Sequence, residues 1–230
     1  NSPVLTVATP YSVAEGTTIV GTVTTTDADA GATTSYSLTG TDGGLFTINS
    51  DGDIVFATAP DFESGRSNAY SLNVVVSDGD NTDIEAIIVN VTDENDNSPV
   101  LTVATPYSVA EGTTIVGTVT TTDADAGATT SYSLTGTDGG LFTINSDGDI
   151  VFATAPDFET PGSSLNTNAY SLNVVVSDGD NSDIEAIIVN VTDTNDESPV
   201  LTVATPYSVA EGATSVGTVT TADDDAGATF

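Results

Sequence analysis

Apolar and polar positions alternate along this chain with a period of two. Tyr70, Leu72, Val74 and Val76 share one face of an extended segment, and Ile87, Val89 and Val91 share one face of the next. That spacing belongs to strands with one buried face. Shorter β-branched runs at 4–7, 17–26, 33–38, 45–48 and 54–58 are separated by Gly, Asp, Asn and Pro, so the pattern predicts seven strands. No window carries apolar residues at i, i+3, i+4 and i+7 between helix caps, which leaves helix close to absent. The predicted class is all-β, a seven-stranded Greek-key β-sandwich of the Ig-like kind. Asp51-Gly52 and Asp78-Gly79 read as hairpin turns, because glycine accepts positive φ without steric cost. Tyr36, Phe46, Phe56 and Tyr70 have apolar neighbours at two-residue spacing and are assigned to the core, whereas Tyr11 is left as a ring that could be exposed.

The pattern repeats. Ser-Pro-Val-Leu-Thr-Val-Ala-Thr-Pro-Tyr-Ser-Val-Ala-Glu-Gly starts at Ser2, Ser98 and Ser198, and residues 2–63 recur unchanged as 98–159. The period of about 100 residues is one sandwich domain and is too long for a solenoid unit. The expected organisation is a repeat with its linker at 1–97, a second at 98–197, and the first third of another at 198–230. The second copy has four extra residues between Glu159 and Asn168, which marks that segment as a tolerant surface loop. The ends are read as cuts in a longer polypeptide, and no stretch approaches the roughly 18 apolar residues of a membrane span.

Composition changes the picture from fold to partner. The 230 residues include 34 Asp or Glu against one Lys or Arg, with no His or Cys and a formal net charge of −33. Such a charge repels itself in a compact state unless salt screens it or cations neutralise it. Nucleic acid and anionic membrane surfaces need Lys or Arg to replace counterions, and here Arg66 serves the whole chain. Catalysis without His, Cys or Lys is left with a carboxylate pair as its one route, so no enzyme is expected. Disorder is countered by the 38% of apolar residues in alternating runs.

The carboxylates concentrate in four motifs per repeat: Ala14-Glu15-Gly16, Asp27-Ala28-Asp29, Asp61-Phe62-Glu63, and Asp93-Glu94-Asn95-Asp96-Asn97 followed by Ser98-Pro99. Strand ends in a sandwich alternate between two poles, so motifs far apart in sequence can gather at one pole. Hard Ca²⁺ takes 6 to 8 oxygen ligands, which these motifs offer as carboxylates, amide oxygens and carbonyls, while Mg²⁺ prefers waters and octahedral geometry. Asn49-Ser50-Asp51-Gly52-Asp53 and Asp78-Gly79-Asp80-Asn81 lack the terminal Glu of an EF-hand loop and read as turns. Asn90-Val91-Thr92 and Asn190-Val191-Thr192 are sequons in form, but both fall on predicted strands.

In the order and spacing of these motifs the sequence resembles the cadherin repeat, and its low basic content, abundant Thr and lack of Cys resemble bacterial cadherin-like surface proteins. The resemblance implies about three calcium ions at each complete junction between repeats. At the first junction it implies Glu15, Asp61, Glu63, Asp93, Asn95 and Asp96 with Asp123, Asp125 and Asp178. At the second it implies Glu111, Asp157, Glu159, Asp193, Asn195 and Asp196 with Asp223 and Asp225, a last ligand falling beyond Phe230. Asp27, Asp29 and Asp78 would face a preceding repeat, leaving their site incomplete, and Asp78 is promoted from its turn only by the resemblance. Phe62 stands where the family usually has Arg, Gly16 where Asn is common, and no Asn follows Asp123-Ala124-Asp125. The implied function is a calcium-rigidified extracellular array, the stalk of a surface adhesin or a filament subunit. The alternative is a calcium-dependent adhesion module that binds homophilically or to a surface ligand. Near-identical copies favour the stalk, since they supply length rather than one differentiated surface. Its expected partners are calcium, neighbouring repeats of the same longer chain or array, and further copies of itself by self-association.

Overall fold

The computed structural model describes residues 1–29, 31 and 33–225. The chain divides into two compact units, Asn1–Asp96 with Ala124–Gly127, and Asn97–Asp123 with Ala128–Phe230. In the first, the strands are β1 (Val4–Thr6), β2 (Tyr11–Ala14), β3 (Ile19–Thr22), β4 (Thr24–Thr26), β5 (Ser35–Thr39), β6 (Phe46–Ile48), β7 (Asp53–Phe56), β8 (Ala69–Ser77) and β9 (Thr82–Thr92). One turn of 3₁₀ helix, Gly43–Leu45, precedes β6. Eight of these nine segments are the seven expected strands, the run at 17–26 being divided at Val23, whose amide turns aside to the Gly52 carbonyl at 2.9 Å. The ninth, β2, is not among the expected runs; it follows Pro10, which has no N–H to give a ladder.

One sheet has the order β2-β9-β8-β5, another β3-β7-β6, and β1 pairs with β4. β2 runs parallel to β9 with Tyr11 opposite Val89, whereas β8 and β9 form a long antiparallel ladder from Ala69–Asn90 to Ser77–Thr82. The two-residue period is met residue by residue: Tyr70, Leu72, Val74 and Val76 of β8 and Ile87, Val89 and Val91 of β9 are all buried. Ile54, Val74, Val76 and Val89 have no exposed surface, and each such side chain contributes about 1.5–3 kcal/mol of burial. Phe46 and Phe56 lie 4.3 Å apart, and Tyr70 meets both edge-on at 5.7 and 5.3 Å. Tyr36 packs on the margin of the same core.

Tyr11 departs from expectation: it is 9% exposed and part of the core. A Cβ on Gly21 would stand 2.6 Å from its ring, so the glycine opposite makes room for the tyrosine. A run as short as Tyr11–Ala14, bounded by Pro10 and Gly16, gave no local strand signal because its partner is 78 residues away.

The second unit repeats this arrangement in β10 (Val100–Thr102), β11 (Tyr107–Ala110), β12 (Ile115–Thr118), β13 (Thr120–Thr122), β14 (Ser131–Thr135), β15 (Phe142–Ile144), β16 (Asp149–Phe152), β17 (Ala169–Ser177) and β18 (Ser182–Thr192). The sheet order is again β11-β18-β17-β14. β19 (Val200–Thr202) and β20 (Thr220–Ala222) add an antiparallel pair. The longer loop of this copy is more than a tolerant surface segment. Ser163 is buried, its hydroxyl donating to the Thr167 carbonyl at 2.6 Å and accepting the Thr167 amide at 2.9 Å. Asp138 accepts the amides of Ser164 and Ser171, both at 2.8 Å. Burial alone would raise the Asp138 pKa, but these two amides outweigh it and hold the carboxyl below its usual range. Leu165, at the loop tip, stays exposed.

Candidate metal centre

Glu15 follows directly on β2 and is buried despite its charge. One carboxylate oxygen accepts the Phe62 amide at 2.6 Å and the other accepts the Glu94 amide at 2.9 Å. A single side chain thus ties three of the acidic motifs together, and charge-assisted bonds of this kind contribute about 1.5–3 kcal/mol each. Glu111 repeats the arrangement with Phe158 and Thr194, both at 2.7 Å.

Around this clamp the carboxylates converge. In the first unit Glu15, Glu63 and Asp93 each present an oxygen within 4.8 Å of the others, and so do Glu63, Asp96 and Asp125. The short segment Ala124–Gly127 belongs to this unit, which is how Asp125, downstream of the linker in sequence, comes to Glu63 and Asp96. The Asp93 carboxylate also accepts the Ala126 amide at 2.9 Å. The second unit holds Glu111, Glu159 and Asp196 in one group and Glu159, Asp193 and Asp225 in another. Asp225 accepts the amides of Asp196 and Glu197 at 3.3 and 3.2 Å, and Asp223 accepts the Asp225 amide at 3.1 Å. A fifth group joins Asp27, Asp29 and Asp78, with the Asn1 ammonium against Asp29.

The electrostatics are those of crowded anions. Burial, followed by the neighbouring Asp93 and Glu15 carboxylates, pushes the Glu63 carboxyl up to about 7. Glu159 is raised to about 7 by burial and then by Glu111 and Asp193. Desolvation also raises Asp96, reinforced by Glu15, Asp125, Asp61 and Asp93, and raises Asp196, reinforced by Glu111, Asp225, Asp157 and Asp193. Asp93 and Asp193 each bury Oδ1, and Asp27 and Asp225 each bury Oδ2, without a hydrogen-bond partner. Buried acceptors ordinarily have one. Oxygen-only donors at mutual distances a single ion could span, with buried lone pairs to fill, fit a hard divalent cation.

Of the remaining candidates, Asp61 and Asp157 stand near enough to act electrostatically on Asp96 and Asp196. The Asp157 carboxylate also caps the Thr160 amide at 2.8 Å. Asn95 is half-buried in the linker and Asn195 exposed. Asp123, at the end of β13, and Asp178, after β17, lie in the second unit, where Asp178 accepts the amides of Asp180 and Asn181 at 2.8 and 2.7 Å. Asp78 does the same in its own turn, and those amides hold its pKa down. The Asn49 and Asn145 loops form hairpin turns closed by their own side chains.

Asn68 was missed by sequence reasoning. Its side-chain NH₂ donates to the Phe62 carbonyl at 3.0 Å while the Asn68 backbone carbonyl accepts the Val91 amide at 2.8 Å, so it fastens the Asp61–Glu63 loop to β9. Asn168 repeats this with Phe158 and Val191. The available signal was position: Asn-Ala-Tyr is the first invariant triplet after a loop that otherwise changes between copies.

A cadherin domain model matches residues 9–92. Human Protocadherin Fat 4 is 31% identical over 195 residues, 80% of this chain, and the chain spans 4% of that protein. Human Protocadherin-1 is 32% identical over 224 residues, 88% of this chain and 20% of the relative. Among solved structures, mouse Cadherin-23 EC22-24 aligns with a TM-score of 0.75 at 25% identity, covering 99% of this chain and 79% of that one. The Protocadherin gammaB7 EC3-6 cis-dimer structure aligns with 0.74 at 27% identity, covering 99% and 57%. Sandwich, motif order and carboxylate groups agree with these likenesses: the chain is a cadherin-like tandem repeat.

Proposed function

We propose that this chain is a calcium-stiffened stretch of an extracellular stalk, with the repeats bounded at 1–97, 98–197 and 198–230. As cadherin-like repeats they are extracellular, adhesion-type modules and not enzymes. The observation that carries the finer reading is the pair of carboxylate groups gathered on Glu63 and repeated on Glu159. Calcium would be held by Glu15, Asp61, Glu63, Asp93, Asn95, Asp96 and Asp125, with the sequence resemblance adding Asp123 and Asp178, at about three ions per centre. The second centre would use Glu111, Asp157, Glu159, Asp193, Asn195, Asp196, Asp223 and Asp225, and Asp27, Asp29 and Asp78 form a partial one. Bound calcium would supply the positive charge that these oxygens lack.

The chain's own part is to order its linker. Glu15 fixes the Phe62 and Glu94 amides, Asn68 holds the Phe62 carbonyl, and Asp93 receives the Ala126 amide. Without a cation the carboxylates held by those bonds repel one another, so the ordered linker is favoured only when the charge is met. A ligand that binds only the ordered form stabilises it by about 2.7 kcal/mol at 100 times its Kd. Extracellular calcium modules bind at roughly 10⁻⁴ to 10⁻³ M, which suits stiffening after export. Small-angle scattering with calcium and with chelator tests the reading. A narrower distribution of end-to-end distances with calcium is expected, and distributions that coincide would overturn it.

A further inference from the structure

Each unit holds a cavity beside the first tyrosine of its longest ladder, and the chain's one basic side chain lines only the first of them. In the first unit a space of about 390 Å³ lies between the 3₁₀ turn, the segment that follows β7 and the start of β8, with apolar walls from Leu45, Phe56, Pro60 and Tyr70. The second unit has its counterpart, about 380 Å³, between Leu141, Phe152, Pro156 and Tyr170. The two linings correspond residue for residue except where the variable loop closes them. There Ser64 and Arg66 stand in the first, Thr160 and Gly162 in the second.

That difference changes what each cavity can hold. In the second unit the Gly162 amide donates to the Tyr170 hydroxyl at 3.1 Å, and Tyr170 is 2% exposed. Tyr70 is 8% exposed, and among the described residues no loop amide occupies the equivalent place over its ring. Arg66 is exposed and pairs with no carboxylate among the described residues, the ion pair present being that of the Asn1 ammonium with Asp29. In a chain with 34 Asp or Glu, its guanidinium is left available to a ligand.

We propose that the cavity of the first unit binds a small organic carboxylate, one ring carrying one negative charge, and that the cavity of the second does not. The size selects a small molecule: about 390 Å³ lies at the low end of the roughly 300–1,000 Å³ of small-molecule pockets, which are mostly apolar with a few placed polar groups. The walls suit a ring, and the planar guanidinium fork matches a carboxylate. Asp61 lines the same cavity and opposes anions, which keeps the affinity modest and disfavours a second negative charge. A cationic ring would meet Arg66, and a neutral one would gain nothing from it. The net charge of −33 acts from a distance and is screened beyond about 8 Å at 0.15 M salt, whereas Arg66 is in contact. Neither Arg66 nor Tyr70 belongs to a carboxylate group, so this site does not depend on the calcium reading.

Titration of the whole chain with benzoate, followed through its amide signals by nuclear magnetic resonance, tests the proposal. Chelator is present throughout, so that no ion can bridge benzoate to Asp61. Saturable shifts are expected at Gly65, Arg66 and Tyr70, with a Kd of about 1 mM for a ligand of this size, while Gly162 and Tyr170 stay unmoved. Benzyl alcohol, the same ring without the charge, should bind at least tenfold more weakly. Arg66→Gln should weaken benzoate at least tenfold. Arg66→Lys, which keeps the charge without the fork, should recover part of that loss and so separates charge from a change in the loop. Thr143→Glu, at an exposed position of the other unit, adds the same unit of negative charge elsewhere and should leave binding unchanged. No saturable shift up to about 20 mM benzoate, equal shifts in the two units, or an Arg66→Gln chain that binds as before would each overturn the proposal.

Discussion

Replacing Glu15 by Gln separates what its carboxylate does for the fold from what it does for a cation. Glu15 accepts two amides, from Phe62 at 2.6 Å and Glu94 at 2.9 Å, and shares a carboxylate group with Glu63 and Asp93. Glutamine keeps one acceptor and turns an NH₂ toward the other amide. One charge-assisted bond is lost, and a part-buried N–H is left unmet, at about 1–3 kcal/mol for each. Relief of repulsion from Glu63 and Asp93 offsets part of this, so the net cost in chelator is about 1–2 kcal/mol. In saturating calcium the variant also loses a ligand, and a tenfold drop in affinity adds about 1.4 kcal/mol. At about 4–8 °C per kcal/mol for a domain of this size, the melting temperature should fall by about 5–10 °C in chelator and roughly twice that in calcium. Calorimetric melts of Glu15→Gln beside the exposed control Glu94→Gln make the measurement. Equal losses in calcium and chelator would refute the ligand role, and a loss no larger than the control's would refute the clamp.

Stability in chelator should fall as pH rises between about 4.5 and about 7, the window set by Glu63 and Glu159. There the folded chain holds more protons than the unfolded one, so melts at pH 5 should exceed those at pH 7.5, and calcium should abolish the difference. Gly52→Ala meets a φ of +84° and the Val23 carbonyl at 2.4 Å, and should cost about 2 kcal/mol or more. Gly44→Ala, with nothing within 4 Å of the added methyl, should stay within about 0.5 kcal/mol on chemical denaturation. Trypsin has one Lys or Arg to cut after, the exposed Arg66, so native digestion should give residues 1–66 and 67–230 and no further fragments by mass spectrometry.

The strands were legible wherever both faces left a mark. β8 and β9 alternate over nine and eleven residues, and their apolar sets landed inward as read. β2 left no mark because its burial depends on a parallel partner distant in sequence and on Gly21 beneath the Tyr11 ring. Of the acidic residues singled out in the sequence, Glu15, Glu63 and Asp93 come together in one group and Glu63, Asp96 and Asp125 in another. How they are held was not legible. That Glu15 spends both oxygens on amides, and that Asn68 fastens the loop beneath, depends on backbone N–H and C=O directions that no side-chain pattern encodes. The charge excess did announce the raised carboxyls, but only burial beside Asp93 and Asp193 singles out Glu63 and Glu159.

The most direct test of the calcium claim is a calorimetric titration of calcium into the chelator-treated chain at pH 7.5. Saturable binding at roughly 10⁻⁴ to 10⁻³ M is expected, with about three ions per complete centre. The heat should depend on the buffer, because Glu63 and Glu159 must give up their residual protons to bind. No saturable heat up to about 10 mM calcium would contradict the account.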